Sequence, residues 1–456
     1  MSLQTFINSL KTIKNPYRSM VFRAVLASHP YDISALSDLN PTNLHVILSD
    51  PDLKPSTCLR FFNLVLKNRS FISFEPYLQS YSSLICRLLK ARLFSDAESL
   101  LKSVSIDGNP RYPFPAIASV FENYDPEPKI RAKFFNLMFK VYSDGGKFDH
   151  VAKVFDYMKK KGIKIDERTC TVHLLALKKS DEMGLALKFL YGMIESGLEI
   201  SVYSLTVVID GLCKNGEVKR GRELVEEMVG CGVTANIITY NTLINSCTKR
   251  WDFLELELIR ALMEKKQQEF NIDTYNILVE GFTSYGKVEE AERLVEEMHD
   301  KGLKVSTHIY NLLMNGYCKV GSMDTVVVLF DRMIKRSVKS NADTYWALIN
   351  GFCKVGDLKM ALQYVNEMQR KGIELDQVIL CRLINGFCKE GMIDEALELH
   401  VEMQNQGFGI DLSSCNRIGE GLCESNRTKE AKLLLSTMVK MGINPAMANF
   451  TSSFFQ

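Results

Sequence analysis

The chain has 456 residues, 46% of them hydrophobic, and a formal net charge of +2. That is enough apolar material for a continuous core. No apolar run reaches the roughly 18 residues that a membrane-spanning helix needs, and bulk charge does not announce a nucleic-acid partner, although a local basic stripe opposite acidic faces stays compatible with one. Twelve cysteines without a single C-x-x-C give no support to a zinc ribbon or to thioredoxin-like redox chemistry.

The first acidic residue is Asp32. Before it stand Lys11, Lys14, Arg18 and Arg23, with Ser2, Thr5, Ser9 and Thr12 interleaved and Leu3, Phe6, Leu10 and Ile13 on one helical face. A basic, hydroxyl-rich, acid-poor amphipathic start predicts a mitochondrial transit peptide over residues 1–31, with a chloroplast address as the alternative. An ordinary first helix of a helical array has the same periodicity. Residues 32–131 read as a helical region punctuated at Asn40-Pro41, Asp50-Pro51 and Lys54-Pro55. Within it, 78–107 looks like one diverged repeat, because Tyr81, Ser82, Leu84, Ile85 and Ala97 hold the register seen downstream. Prolines 110, 113, 115, 126 and 128 then break the pattern.

From residue 132 the chain is periodic. Methionine recurs every 35 residues, at 158, 193, 228, 263, 298, 333, 368, 403 and 438. Four residues later comes Gly162, Gly197, Gly232, Gly302, Gly372, Gly407 or Gly442, with Gln267 and Ser337 in the two remaining places. Self-similarity at a fixed period of 20–50 residues marks a stacked repeat protein. Nine repeats start at 132, 167, 202, 237, 272, 307, 342, 377 and 412, covering 132–446 and leaving a short tail at 447–456. In the repeat from 272, Tyr275, Leu278, Val279 and Phe282 predict a first helix. Val288, Ala291, Leu294, Val295 and Met298 predict a second, ended by Gly302 in the left-handed conformation. Glu289, Glu290, Glu296 and Glu297 cover the second helix's outer face, leaving the first helices to present a different surface. Cys213, Cys318, Cys353, Cys388 and Cys423 share one slot with Thr248 and Thr283, as expected of a small side chain at a tight helix contact in a reducing compartment.

Two motifs imitate chemistry. Gly281-x4-Gly286-Lys287 has phosphate-loop spacing, but Val288 stands where Ser or Thr is needed and a helix precedes it. His400-Val401-Glu402 has the H-x-E of zinc deaminases without the following P-C-x-x-C. No catalytic residues, metal or cofactor are therefore expected.

Thr239-Tyr240-Asn241-Thr242-Leu243-Ile244, Asn350-Gly351-Phe352-Cys353-Lys354-Val355-Gly356 and Asp394-Glu395-Ala396-Leu397, set in an uninterrupted 35-residue register, resemble the pentatricopeptide repeat family, in its pure rather than mixed-length class. The resemblance implies an all-α right-handed superhelical solenoid of helix-turn-helix repeats, with the first helices lining its groove. It also implies an organelle RNA-binding factor that reads one base per repeat. The readers in this family are the fifth and last residues of each repeat. Carried over, they are Asn136 with Asp166, Thr171 with Ser201, Thr206 with Asn236, Asn241 with Asn271, Asn276 with Ser306, and Asn311 with Asn341. A carboxylate only accepts hydrogen bonds, whereas an amide also donates; with the family's preferences, the six pairs suggest 5′-U-?-A-C-Y-C-3′, Y being a pyrimidine. Trp346 with Asp376, Cys381 with Asp411 and Asn416 with Ala446 depart from the usual set and leave three bases unassigned. The same Asn and Asp residues also suit helix capping.

The family's second slot is usually Val or Ile. Ile238 and Val378 conform, whereas Asp273 and Asp343 place carboxylates beside an expected polyanion. Lys179, Lys214, Lys249, Lys319, Lys354 and Lys389 recur at the end of the first helices, where they suit phosphate contact or the helix macrodipole. The expectation is sequence-selective binding of single-stranded organellar RNA, with protein cofactors of RNA processing and no membrane partner. The competing class is a protein-interaction scaffold of the tetratricopeptide type.

Overall fold

The computed structural model describes residues 39–67, 77–106, 112–124, 127–405, 407–408, 412–440 and 450. The expected targeting segment 1–31, Asp411, Ala446 and the tail 447–456 apart from Phe450 lie outside them. Among the described residues every regular element is a helix, and none is long and apolar enough to cross a membrane. The chain forms two compact units, Met1–Thr239 and Tyr240–Gln456.

In the first unit, helices Pro41–Ser49, Pro55–Lys67, Leu78–Lys90, Phe94–Ser105 and Phe114–Glu122 precede the regular array. Proline opens two of them at the first helical position, where its missing N–H costs nothing. The hairpins Pro128–Asp144 with Phe148–Lys160, Glu167–Lys179 with Met183–Glu195, and Val202–Lys214 with Val218–Gly230 follow. Phe121 stacks on Phe134 at 3.6 Å, joining the irregular helices to the first repeat.

The second unit continues with Phe253–Lys265 and then five hairpins. These are Ile272–Tyr285 with Val288–Asp300, Thr307–Val320 with Met323–Lys335, Ala342–Val355 with Leu358–Arg370, Gln377–Lys389 with Ile393–Asn405, and Leu412–Glu424 with Thr428–Lys440. Within each unit, first helices pack on one another and on their own second helix, and a second helix also touches the next first helix. Each repeat thus buries its neighbour's apolar face, as stacked repeats must.

The periodic residues explain this packing. All nine methionines of the 35-residue ladder are buried, filling the irregular space between the two helices of a hairpin. Tyr275 and Tyr345 are fully buried, and their hydroxyls donate to Glu297 at 2.7 Å and Glu367 at 2.9 Å on the second helix. The second-helix acids are therefore not simply a solvated face. Glu297 ties a hairpin together, and Glu292 and Glu296 reach Arg332 of the next repeat at 3.1 and 3.4 Å.

The cysteine slot meets a glycine of the following repeat. A Cβ on Gly351 would stand 2.7 Å from both Cys318 Sγ and Met323 Sδ, so the first helices approach as closely as they do only because that side chain is missing. All twelve cysteines are free thiols, and burial pushes those at 318, 353 and 388 up to about 11. Second helices end as expected. Gly302 has φ 67°, and Leu303 N–H donates to Met298 O at 2.8 Å. Gln267 and Ser337 adopt the same left-handed conformation at φ 53° and 58° without glycine's freedom, at a cost of about 1–2 kcal/mol each.

Candidate functional site

Slots two, six, nine and thirteen of a first helix fall on one face, since they are spaced i, i+4, i+7, i+11. Slot two is exposed in all nine repeats, from Lys133 to Ser413, with Tyr203 and Ile238 more than 60% accessible. Slot three points inward and is buried in every repeat. Between these two positions the structure brings together the fifth and last residues of a repeat.

Asn241 Nδ2 lies 3.4 Å from Asn271 Oδ1, although the two residues are 30 apart in sequence. Thr274, in slot three of the following repeat, closes the arrangement. Its hydroxyl reaches Asn241 Oδ1 and Asn271 Oδ1, both at 2.8 Å, and its N–H donates to Asn271 Oδ1. Asn311, Asn341 and Thr344 repeat this design, with Asn311 Nδ2 donating to Asn341 Oδ1 at 3.0 Å. Asn271 and Asn341 are at once partners of the fifth residue and N-caps in capping boxes. Capping and pairing are therefore one geometry, in which the cap residue stands at the surface and the fifth residue is recessed behind it.

The other pairs vary with slot three. Thr206 Oγ1 meets Thr239 Oγ1 at 2.8 Å, and Thr239 N–H donates to Asn236 Oδ1 at 3.0 Å. In repeat two, Ser201 and Ser204 hydroxyls stand 2.5 and 2.7 Å from Glu167 Oε1, and Thr171 stands at 3.1 Å. Burial raises the Glu167 pKa, but hydrogen bonds from Ser201, Ser204 and Thr171 outweigh it and hold the carboxyl below its ordinary range. The Thr171 and Ser201 pair is thus already occupied by a carboxylate.

Asn136 is held by backbone instead. It donates to Ala132 O and Lys164 O, and accepts from Asp166 N–H at 2.8 Å, although Thr169 stands in slot three of the next repeat; Asp166 caps through Arg168 N–H at 3.4 Å instead. Asn276 has Ile309 across from it, and its buried Oδ1 finds no partner. Ser306 caps through Ile309 N–H at 3.4 Å. Trp346 is partly buried in its slot, behind the exposed Asp343.

The six lysines are all exposed near the ends of the first helices. Lys214 is shared with Asp210 at 3.3 Å, which Lys178 also contacts. Burial raises the Asp210 pKa, and the two lysines more than reverse this. Two further exposed cations, Arg382 and Arg417, went unremarked in the sequence. They occupy slot six, where the other seven repeats carry Leu137, Val172, Val207, Thr242, Ile277, Leu312 and Ala347. Charge in an otherwise uncharged slot was the signal that could have found them. With Lys354, Lys389, Asn350 and Asn385 they line a cavity of about 180 Å³.

The look-alike motifs resolve into packing. His400 is buried against Gln404 Nε2 at 2.9 Å, and Gly281 lies inside a helix, packed on Thr248. Among the described residues no group of His, Cys, Asp and Glu could hold a metal ion.

Comparison with known proteins follows the same period. A model described as PPR repeat family matches 200–249, 305–354 and 344–378. Two models described as PPR repeat match 267–299 and 371–404, and 79–108, 134–163 and 238–267. A pentatricopeptide repeat-containing protein of Arabidopsis thaliana is 39% identical over 166 residues, which is 36% of this chain and 26% of that protein. The chain thus matches about a quarter of that relative's length. Among solved structures, PPR10 in complex with an 18-nt psaJ RNA element is 18% identical, with 94% of this chain and 80% of that one covered and a TM-score of 0.39. Yeast Rmd9p in complex with a 16-nt target RNA is 12% identical, with 99% and 94% covered and a TM-score of 0.28. The repeat models together span more than half of the sequence, in the register set by the methionines and by the paired fifth and last residues, and this chain belongs to the pentatricopeptide repeat family.

Proposed function

We propose that the first-helix face binds single-stranded RNA, one base per repeat, at the paired fifth and last residues. The observation that carries this is the recurrence of the pair itself, at 3.4 Å for Asn241 with Asn271 and 3.0 Å for Asn311 with Asn341. A base edge set against such a pair meets donors and acceptors whose geometry slot three has already fixed, so little ordering entropy remains to oppose binding. Bases would be read at repeats one to six, and the exposed lysines would meet phosphates. The bound RNA would be an organellar transcript, protected, held open, or passed to processing, splicing or translation factors. The mitochondrion is the favoured compartment and the chloroplast the alternative. Similarity to an Arabidopsis pentatricopeptide protein supports the class of activity.

A protein-scaffold role has one observation in its favour. Asp273 and Asp343 stand on this face and engage the Asn271 and Asn341 amides at 3.5 and 3.3 Å. Filter binding of the full chain to pooled RNA, followed by sequencing of what is retained, separates the two. Enrichment of U-x-A-C-Y-C supports base reading. Retention of no RNA, together with capture of peptides from a library, sinks it. Residues 1–31 fused to a fluorescent protein should direct it to mitochondria, and a diffuse cytosolic signal retires the address alone.

A further inference from the structure

The cavity between the first helices of repeats seven, eight and nine differs from the rest of this face. Lys354, Arg382, Lys389 and Arg417 line it, and no carboxylate does. Elsewhere the same stripe balances its charge, as at Asp210 with Lys178 and Lys214, or carries acid outright, as at Asp273 and Glu280 of repeat five. The stripe of repeats seven and nine carries acids as well, at Asp343, Glu420 and Glu424, but none of them lines the cavity; Glu390 lies over Gly356, and Glu420 acts on Cys388.

The second observation is independent of charge. Asn350 lines the cavity, is only 5% exposed, and its Oδ1 has no hydrogen-bond partner; Asn385 Oδ1 beside it is also buried and unpartnered. Folds rarely leave buried amides unsatisfied without a ligand or a functional reason. Four like charges round the cavity suit an anion, while the two idle carbonyl oxygens, which only accept, suit a donor beside it, such as the ribose hydroxyl next to an RNA phosphate. At about 30 Å³ per water, the 180 Å³ holds roughly six waters, enough room for a phosphate group.

Resting on the RNA reading above, we propose that repeats seven to nine grip an RNA phosphate here whatever the base. This end of the array then anchors the backbone at repeats whose fifth residues, Trp346 and Cys381, are unsuited to edge reading. Arginine fits the task, since its planar fork meets phosphate oxygens in pairs.

The test compares the full chain with its R382Q/R417Q and R382K/R417K variants, on a nine-nucleotide RNA beginning U-x-A-C-Y-C and on one cut after the sixth nucleotide. On the long RNA, R382Q/R417Q should weaken binding roughly tenfold or more at fixed salt. It should also lower the slope of log affinity against log salt by about 0.7 per lost contact. The loss should be equal for all bases at positions seven to nine, and the lysine variant should recover most of the slope. The short RNA should bind both proteins alike. An unchanged slope on the long RNA, or an equal loss on the short one, overturns the proposal. If no RNA binds, the underlying reading fails, and calorimetry with inorganic tripolyphosphate decides the site by itself. Binding by the unmodified chain that R382Q/R417Q abolishes upholds a phosphate site, and no binding overturns it.

Discussion

Replacing Asn236 with Asp separates base reading from helix capping at a single atom. Asn236 Oδ1 accepts from Thr239 N–H at 3.0 Å and from Thr239 Oγ1 at 3.1 Å. These contacts hold the start of the helix Ile237–Arg250 and keep Thr239 aimed at Thr206. A carboxylate has the same shape and accepts both bonds, so the cap survives. Its charge at a helix N-terminus adds about 0.3–1 kcal/mol of favourable dipole interaction. Thermal stability should therefore hold or rise slightly. What changes is Nδ2, which makes no hydrogen bond among the described residues and can donate to the ring nitrogen of adenine. Asn236→Asp replaces that donor with an acceptor suited to the ring N–H of guanine. Edge contacts of this kind discriminate by about 1–3 kcal/mol, which is roughly 5- to 150-fold in relative affinity. The assay is a competition between RNAs that differ only at the third array nucleotide, run beside thermal denaturation. The preferred base should move from A to G, with neighbouring positions unaffected. Equal losses for all four bases, or a fall in Tm with discrimination unchanged, would refute the reading and leave Asn236 a cap alone.

Other consequences can be measured on the protein by itself. His173 is buried among Phe139, Phe148 and Phe189, beside Ser143 Oγ at 3.1 Å, and burial pushes its pKa down to about 4 from 6.5. The unfolded chain therefore binds a proton first, and stability present above pH 6.5 is lost as pH falls toward 4, by an amount on the order of 3 kcal/mol. Denaturant titrations across that window should show the loss, and His173→Leu should flatten it; an unchanged profile in the variant would assign the effect elsewhere. Gly351→Ala forces a methyl to within 2.7 Å of Cys318 and Met323. It should cost about 1–3 kcal/mol by overpacking, partly relieved by Cys318→Ala, and a neutral Gly351→Ala would mean the helices separate easily. Gln267→Gly releases a left-handed residue at φ 53°. The strain relieved exceeds glycine's greater unfolded-state entropy, so stability should rise by up to about 1 kcal/mol; a lower Tm would show that the Gln267 side chain contributes contacts of its own.

The sequence by itself determined the period, the two-helix repeat and the positions of the turns. These follow from local rules: apolar spacing of about 3.6 marks a helix, and left-handed turns select Gly at positions such as 162 and 302. It also put the fifth and last residues of each repeat in register, although their meaning came from the family resemblance. Only the tertiary structure decided how each pair is used, because that depends on a third residue supplied by the next repeat. Thr274 and Thr344 lock Asn pairs, and Ile309 leaves Asn276 Oδ1 unpartnered. Slot three lies 33 residues from its partner in slot five, and no local rule relates them. Likewise Arg382 and Arg417 read as ordinary surface charges in one dimension. Stacking first helices side by side brings them, Lys354 and Lys389 round a single cavity that Asn350 and Asn385 also line, because electrostatic character depends on distance in space and not along the chain.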